Sequence, residues 1–143
     1  KLSELLDRAY RQFGYSILID AHSMPHEAIL NASTGFQTSQ LVLGDRYGAS
    51  CSPDIVNNLA MLISKNGLHA SRNIPFSGAY IVQKYGRPEL NRHAIQLEID
   101  RSMYMDEQKI QKLEKFFKLK NKLLNILRDF SKTHTSITSI AAE

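Results

Sequence analysis

Apolar side chains fall in short runs separated by turn residues, and the period of each run predicts its element. Leu5, Leu6, Ala9, Tyr10 and Phe13 follow Ser3 at helical spacing, with Ser3 as N-cap and Gly14 where a C-cap glycine belongs. Tyr15-Ser16-Ile17-Leu18-Ile19 is apolar and β-branched, which predicts a buried strand stopping at Asp20. Pro25, Asn31, Ser33, Thr34 and Gly35 make the stretch from Met24 to Gln40 mostly loop. Leu41-Val42-Leu43 is a second short strand, followed by the turn-rich Gly44-Asp45-Arg46-Tyr47-Gly48. Ser52 and Pro53 open a helix with Ile55, Leu59, Leu62 and Ile63 as its apolar stripe, and Asn66-Gly67 closes it.

Arg72 to Phe76 reads as extended. Ala79 to Tyr85 fits a short helix or a strand, and the stop signal of Gly86 and Pro88 favours the helix. From His93 to Ile99 the pattern alternates, placing Ala94, Gln96 and Glu98 on one face and His93, Ile95, Leu97 and Ile99 on the other. Asp106 is expected to cap a last long helix carrying Ile110, Leu113, Phe117, Leu124 and Leu127 on one side and its lysines opposite. Residues 131–143 are Ser/Thr-rich and read as a polar, fraying tail. Alternating strands and helices predict an α/β fold with a mostly parallel sheet.

Composition changes this picture little. Among 143 residues, 43% are hydrophobic and 22% charged, which suits a soluble globular chain. No apolar run approaches the ~18 residues that span a bilayer, so no membrane partner is expected. The net charge of +4 is unevenly placed: six lysines fall between Lys109 and Lys122, and the rest is near neutral. Phe116 and Phe117 sit at core-like spacing rather than as a stacking platform, so a solvated helix face, not nucleic-acid binding, is the expectation. The single Cys51 excludes an internal disulfide and fits the reducing cytoplasm. The first residue is Lys, not Met, which leaves room for an upstream segment.

Two segments stand out chemically. Asp20-Ala21-His22-Ser23 lies where a buried strand meets a loop, the end of a strand at which open α/β sheets bind ligands. A neutral imidazole there is a good zinc ligand, and an Asp two residues earlier points to the same side and can orient the ring. The alternative is a polar turn in which Asp20 caps nearby amides. Glu98 is a carboxylate inside an apolar strand, a costly position unless it is paired or functional. It is either a general base or a structural ion pair with Arg92, Arg101 or a lysine. Arg46, Arg72, Arg87, Arg92 and Arg101 offer planar forks for carboxylates, Arg101 directly after the Glu98 strand. Asn73 can hold a substrate polar group or a backbone. His26, His69 and His134 lack partners at metal-ligand spacing and read as surface or loop residues, and His93 as structural. Cys51 has no surrounding His motif, and no nucleophile elbow, phosphate loop or dinucleotide fingerprint is present.

Taken together, the segments Asp20–Pro25, Leu43–Cys51, Asn73–Ile81, Tyr85–Pro88 and His93–Glu107 resemble, in order, the N-formylglutamate amidohydrolase family. The resemblance covers residues 1–130 and implies the C-terminal part of that domain, followed by the tail at 131–143. It implies a mixed sheet flanked by helices, zinc-carboxypeptidase-like (phosphorylase/hydrolase-like) and incomplete. The implied reaction is zinc-dependent hydrolysis of N-formyl-L-glutamate, or a related N-acyl amino acid, to formate and the amino acid. By the same analogy His22 is one zinc ligand, Asp20 supports it, and Glu98 is the base. Arg46, Asn73 and Arg101 bind the substrate or the developing oxyanion. The resemblance further implies that the other zinc ligands are supplied by an N-terminal half expected upstream of Lys1. The chain alone is therefore expected to be weak or inactive, with that half as a candidate partner chain. The competing expectation is a non-catalytic remnant or interaction module of the same fold.

Overall fold

The structure, a computed structural model, describes residues 1–32 and 39–140, with side chains as far as residue 134. The elements in order are α1 (Leu2–Phe13), β1 (Ser16–Met24), α2 (His26–Ala32), β2 (Leu41–Gly44), α3 (Pro53–Lys65), β3 (Ala70–Arg72), α4 (Tyr80–Tyr85) and β4 (Arg92–Asp100). A small hairpin of β5 (Met105–Asp106) and β6 (Gln111–Lys112) leads into α5 (Phe116–Ile140).

The main sheet has the order β1-β4-β2-β3. β1 runs parallel to β4 and β2 parallel to β3, while β2 and β4 are antiparallel. The sheet is therefore mixed and mostly parallel, as expected. β4 and β2 are its interior strands, and β4 is buried along nearly its whole length. The alternation within β4 divides two layers. Ile95 and Leu97 face the main core with Leu41 and Leu43, against Leu59 and Ile63 of α3 and Ile126 and Phe130 of α5. Each such fully buried side chain contributes about 1.5–3 kcal/mol. The opposite face carries a smaller apolar cluster, in which Ile29 of α2 packs on Met24 and Val42, and Asp20, His22, Gln96 and Glu98 lie on this face by register.

Several local expectations hold. Gly14 ends α1 in the left-handed conformation at φ 75°, its N–H donating to Tyr10 O. Pro53 opens α3, and residues 80–85 are helical. Others are corrected. α1 begins at Leu2 with Lys1 before it, so Ser3 is not the cap, and neither Lys1 nor Ser52 makes a side-chain capping hydrogen bond. β1 does not stop at Asp20 but runs to Met24, because its pairing with β4 continues to Asp100. Residues 26–32 form a helix instead of loop, held by one buried side chain, Ile29. The loop expectation for 33–38 lies outside the described residues. Asp106 does not cap the last helix: its Oδ1 accepts from the N–H groups of Gln108 and Lys109, turning the β5–β6 hairpin. Among the described side chains of α5 the buried ones are Leu119, Ile126 and Phe130; of the expected stripe, Ile110, Phe117, Leu124 and Leu127 are exposed and Leu113 is half-buried. α5 continues through residues 131–140, and 141–143 lie outside the described residues.

Candidate active site

β1 and β4 bring the two chemically distinctive segments side by side. In their parallel register Asp20 is opposite Gln96, and His22 is opposite Glu98. Register partners share a face, so four polar side chains form a patch on the side of the sheet opposite the main core. The His22 ring is half-exposed and its Nε2 lies 3.2 Å from Asp20 Oδ2, a close contact without hydrogen-bond geometry. Glu98 is only 8% exposed, and its Oε2 is buried with no hydrogen-bond partner among the described residues. Burial pushes the Glu98 carboxyl above its ordinary value, His22 and Arg101 pull it down, and Asp20 pushes it up.

The ion-pair alternative for Glu98 finds no support among the described residues. Arg92 Nη1 instead donates to Asp7 Oδ1 of α1 at 2.7 Å. Arg101 Nε donates to Ser23 Oγ at 3.2 Å and Nη2 to the Ser23 carbonyl at 3.3 Å, with Nη1 4.0 Å from Glu107 Oε2. Arg101 is thus anchored to β1 beside His22.

Arg46 and Asn73 belong to a neighbouring assembly. Because β2 is antiparallel to β4, its last residue Gly44 comes level with Gln96, about 7 Å before Glu98 along the strand. Arg46 there has φ 53°, and its N–H donates to Ser77 O at 2.7 Å. The Asn73 amide is engaged at both ends by Asp45: Oδ1 accepts from Asp45 N at 3.0 Å and Nδ2 donates to Asp45 Oδ1 at 2.6 Å. Arg72 Nε also donates to Asp45 Oδ1, at 3.2 Å. Burial alone would raise the Asp45 carboxyl, but hydrogen bonds from Arg72 and Asn73 and the Arg72 charge hold it below its usual range.

The segment after Asn73 roofs the patch. Ala79 N donates to Gln96 Oε1 at 3.1 Å. A Cβ on Gly44 would stand 2.6 Å from Gly78 N, so only glycine lets this loop lie on the end of β2. Sequence reasoning missed Asp45, Gly44 and the loop contact of Gln96, since each acts on a partner distant in the chain. It also misread two histidines. His26 Nδ1 is 2.8 Å from Asp100 Oδ2, and Ser102 Oγ lies near both, so His26 ties the start of α2 to the end of β4. His134 packs on Phe130 and Tyr15, and its carbonyl accepts from the Tyr15 hydroxyl. His93 is structural, as expected: its Nδ1 accepts from Ser52 N at 3.3 Å, before the start of α3. Burial is the main cause that pushes the Cys51 thiol up to about 12, and the Asp45 charge adds to it. At such a value the thiol is a poor nucleophile near neutral pH.

The mixed α/β sheet thus sets an imidazole and a buried carboxylate side by side on neighbouring parallel strands. Residues 1–105 match the family profile described as N-formylglutamate amidohydrolase, so the chain belongs to that family. It is 37% identical over 108 residues to the N-formylglutamate deformylase of Pseudomonas aeruginosa, covering 75% of this chain and 40% of that protein. It is 38% identical over 103 residues to the protein of the same name from Pseudomonas putida, covering 71% of this chain and 38% of the other. The fold matches the crystal structure of N-formylglutamate amidohydrolase from Ralstonia eutropha JMP134 with a TM-score of 0.83 and 32% identity, over 94% of this chain and 49% of that one. The chain thus spans about 40% of the length of these Pseudomonas relatives.

Proposed function

We propose that this chain takes part in the hydrolysis of N-formyl-L-glutamate, or a related N-acyl amino acid, to formate and the free amino acid. One observation carries the reading: His22 and Glu98 are register partners on adjacent parallel strands, and Glu98 ends in a buried, unpartnered oxygen. A carboxyl with its pKa raised by burial is a better base near neutral pH than an exposed one. Glu98 is assigned as the group that takes a proton from the attacking water. Asp20 orients the His22 ring. Arg101 and Arg46 are assigned to the substrate carboxylates, whose planar oxygens fit a guanidinium fork. Asn73, with both amide ends on Asp45, shapes the turn that presents Arg46.

The family resemblance implies zinc, which as a Lewis acid would polarise the scissile carbonyl. A catalytic zinc site uses three protein ligands. Among the described residues no group of three or more His, Cys, Asp or Glu side chains is placed to hold a metal ion. The residues present do not fit a complete site. We propose His22 as one ligand whose co-ligands come from outside this chain. The same incomplete donor set favours a second reading, a non-catalytic module of the same fold.

Formate release from N-formyl-L-glutamate separates the two. The chain is assayed with zinc, alone and mixed with the part of the Pseudomonas aeruginosa relative that has no counterpart here. Little or no release alone, restoration in the mixture, and loss again in His22→Ala and Glu98→Gln are expected. No formate in any combination leaves the non-catalytic module.

A further inference from the structure

α2 stands on the same face of the sheet as the polar patch. Its Ile29 packs on Met24 of β1 and Val42 of β2. These two strands flank β4, with Met24 level with Asp100 and Val42 level with Glu98. The helix therefore crosses β4 between Glu98 and Asp100. His26 precedes Ile29 by three residues, so both side chains fall on the side of α2 turned to the sheet. On this face the row of β4 side chains is Gln96, Glu98 and Asp100, and one step along it is about 7 Å. A second imidazole thus stands one step from the pair of His22 and Glu98.

The His26 ring is oriented through one nitrogen. Asp100 is buried. Its Oδ1 accepts from Ser102 N at 2.9 Å, and its Oδ2 accepts from Ser102 Oγ at 3.0 Å. With both oxygens accepting, the 2.8 Å contact between Oδ2 and His26 Nδ1 makes Nδ1 the donor. Glu107 Oε1 accepts the His26 backbone N–H at 3.0 Å and anchors the residue. Nε2 is left over. It has no hydrogen-bond partner among the described residues, and the side chain is 40% exposed. An imidazole held at Nδ1 by a buried carboxylate, with Nε2 open, is arranged to exchange a proton with a bound molecule.

We infer that His26 is a further catalytic residue, the acid that protonates the leaving nitrogen. This rests on the proposed hydrolysis and completes its proton balance. Amide cleavage takes one proton from water and delivers one to nitrogen. Glu98 takes the first as the water oxygen bonds to the formyl carbon. As the C–N bond breaks, its electron pair stays on nitrogen and takes the Nε2 proton of the doubly protonated His26 ring. The Nδ1 proton remains hydrogen-bonded to Asp100. The proton on Glu98 then returns to His26 through solvent, so both residues end as they began. Water and amide become formic acid and amine, which leave as formate and ammonium, with no oxidant or reductant. The two residues bracket the scissile bond, Glu98 on the water side and His26 on the nitrogen side.

His26→Asn separates the two ring nitrogens. Its amide N–H stands where Nδ1 meets Asp100, and it has nothing at the Nε2 position. Formate release is measured in the mixture of this chain with the part of the Pseudomonas aeruginosa relative that has no counterpart here. The substrates are N-formyl-L-glutamate and the formate ester of 2-hydroxyglutarate. For the amide, kcat of His26→Asn should fall by about 10²–10³-fold with KM within about threefold, and the urea midpoint of the isolated chain should stay that of the parent. The ester, whose oxygen leaves with less help from an acid, should lose less than about tenfold. In the parent mixture, nitrogen-15 NMR of the ring should show L-glutamate shifting Nε2 and leaving Nδ1 in place, a readout that needs no variant to fold. Equal losses on amide and ester, a lowered urea midpoint with both activities gone, or an unshifted Nε2 overturns the inference. Formate from the parent and from His26→Asn alike removes this inference and leaves the proposed hydrolysis standing. No formate from the parent mixture removes both.

Discussion

Asn73 and Asp45 clasp each other across the ends of β2 and β3: the Asn73 side-chain oxygen accepts the Asp45 backbone N–H, and its amide donates to the Asp45 carboxylate. Asp45 is fully buried, and Arg72 supplies its balancing charge. Asn73 itself sits at φ 60°, a left-handed conformation that asparagine tolerates better than most residues. Asn73→Ala leaves a buried carboxylate and a buried N–H short of partners. Its unfolding free energy in urea should fall by about 2–4 kcal/mol. A variant that lost activity in the complemented enzyme with unchanged stability would instead place Asn73 on the substrate.

Glu98→Gln should be more stable than the parent at neutral pH. Burial raises the Glu98 carboxyl above its ordinary 4.5, so the folded chain binds more protons than the unfolded chain between that value and the raised one. The stability associated with this group is therefore present below pH 4.5 and lost as pH rises through the folded value. The amide carries no charge to bury, and a gain of about 1 kcal/mol at pH 7.5 is expected. A destabilised Glu98→Gln, measured by denaturant titration, would show that the carboxylate has a stabilising partner.

His93 gives the opposite slope. Burial, with a smaller effect from His134, lowers its pKa from 6.5. The neutral ring also accepts the Ser52 N–H, which a second proton on the imidazole would abolish. Stability from His93 is complete above pH 6.5 and is lost as pH falls through the lowered folded value. Denaturant midpoints at pH 7.5 and pH 5 should differ, and His93→Gln should shrink the difference. An equal pH response in parent and variant would assign the slope to other groups.

Gly44→Ala tests the roof over the patch. The added methyl meets Gly78 N at 2.6 Å and Ser77 C at 2.8 Å, both backbone atoms that cannot rotate away. A stability loss of about 1–3 kcal/mol is expected, with faster hydrogen exchange at the Ala79 amide as its contact with Gln96 loosens. Unchanged exchange there would show that the loop is held by other contacts.

The local pattern determined much of this molecule. The apolar runs at Ile17–Ile19, Leu41–Leu43 and His93–Ile99, with Gly14 and Pro53 as punctuation, are strands and helix boundaries in the structure, because burial and backbone geometry act on adjacent residues. The ordered segments around His22, Arg46, Asn73 and Glu98 were sufficient to place the chain in its family. Where neighbours far along the chain decide the outcome, the pattern was silent or misleading. β1 extends to Met24 because β4 offers ladder partners that far. α2 rests on a single buried side chain, too weak a signal among Pro25 and Asn31. α5 has two apolar stripes, and packing against the sheet and α3 selects Leu119, Ile126 and Phe130 for the core. The site shows the same division. Its residue types are written in the sequence, whereas the opposition of His22 to Glu98 and the clasp of Asn73 on Asp45 come from strand register and sheet order. Register depends on which strands meet, and that is a property of the folded chain as a whole.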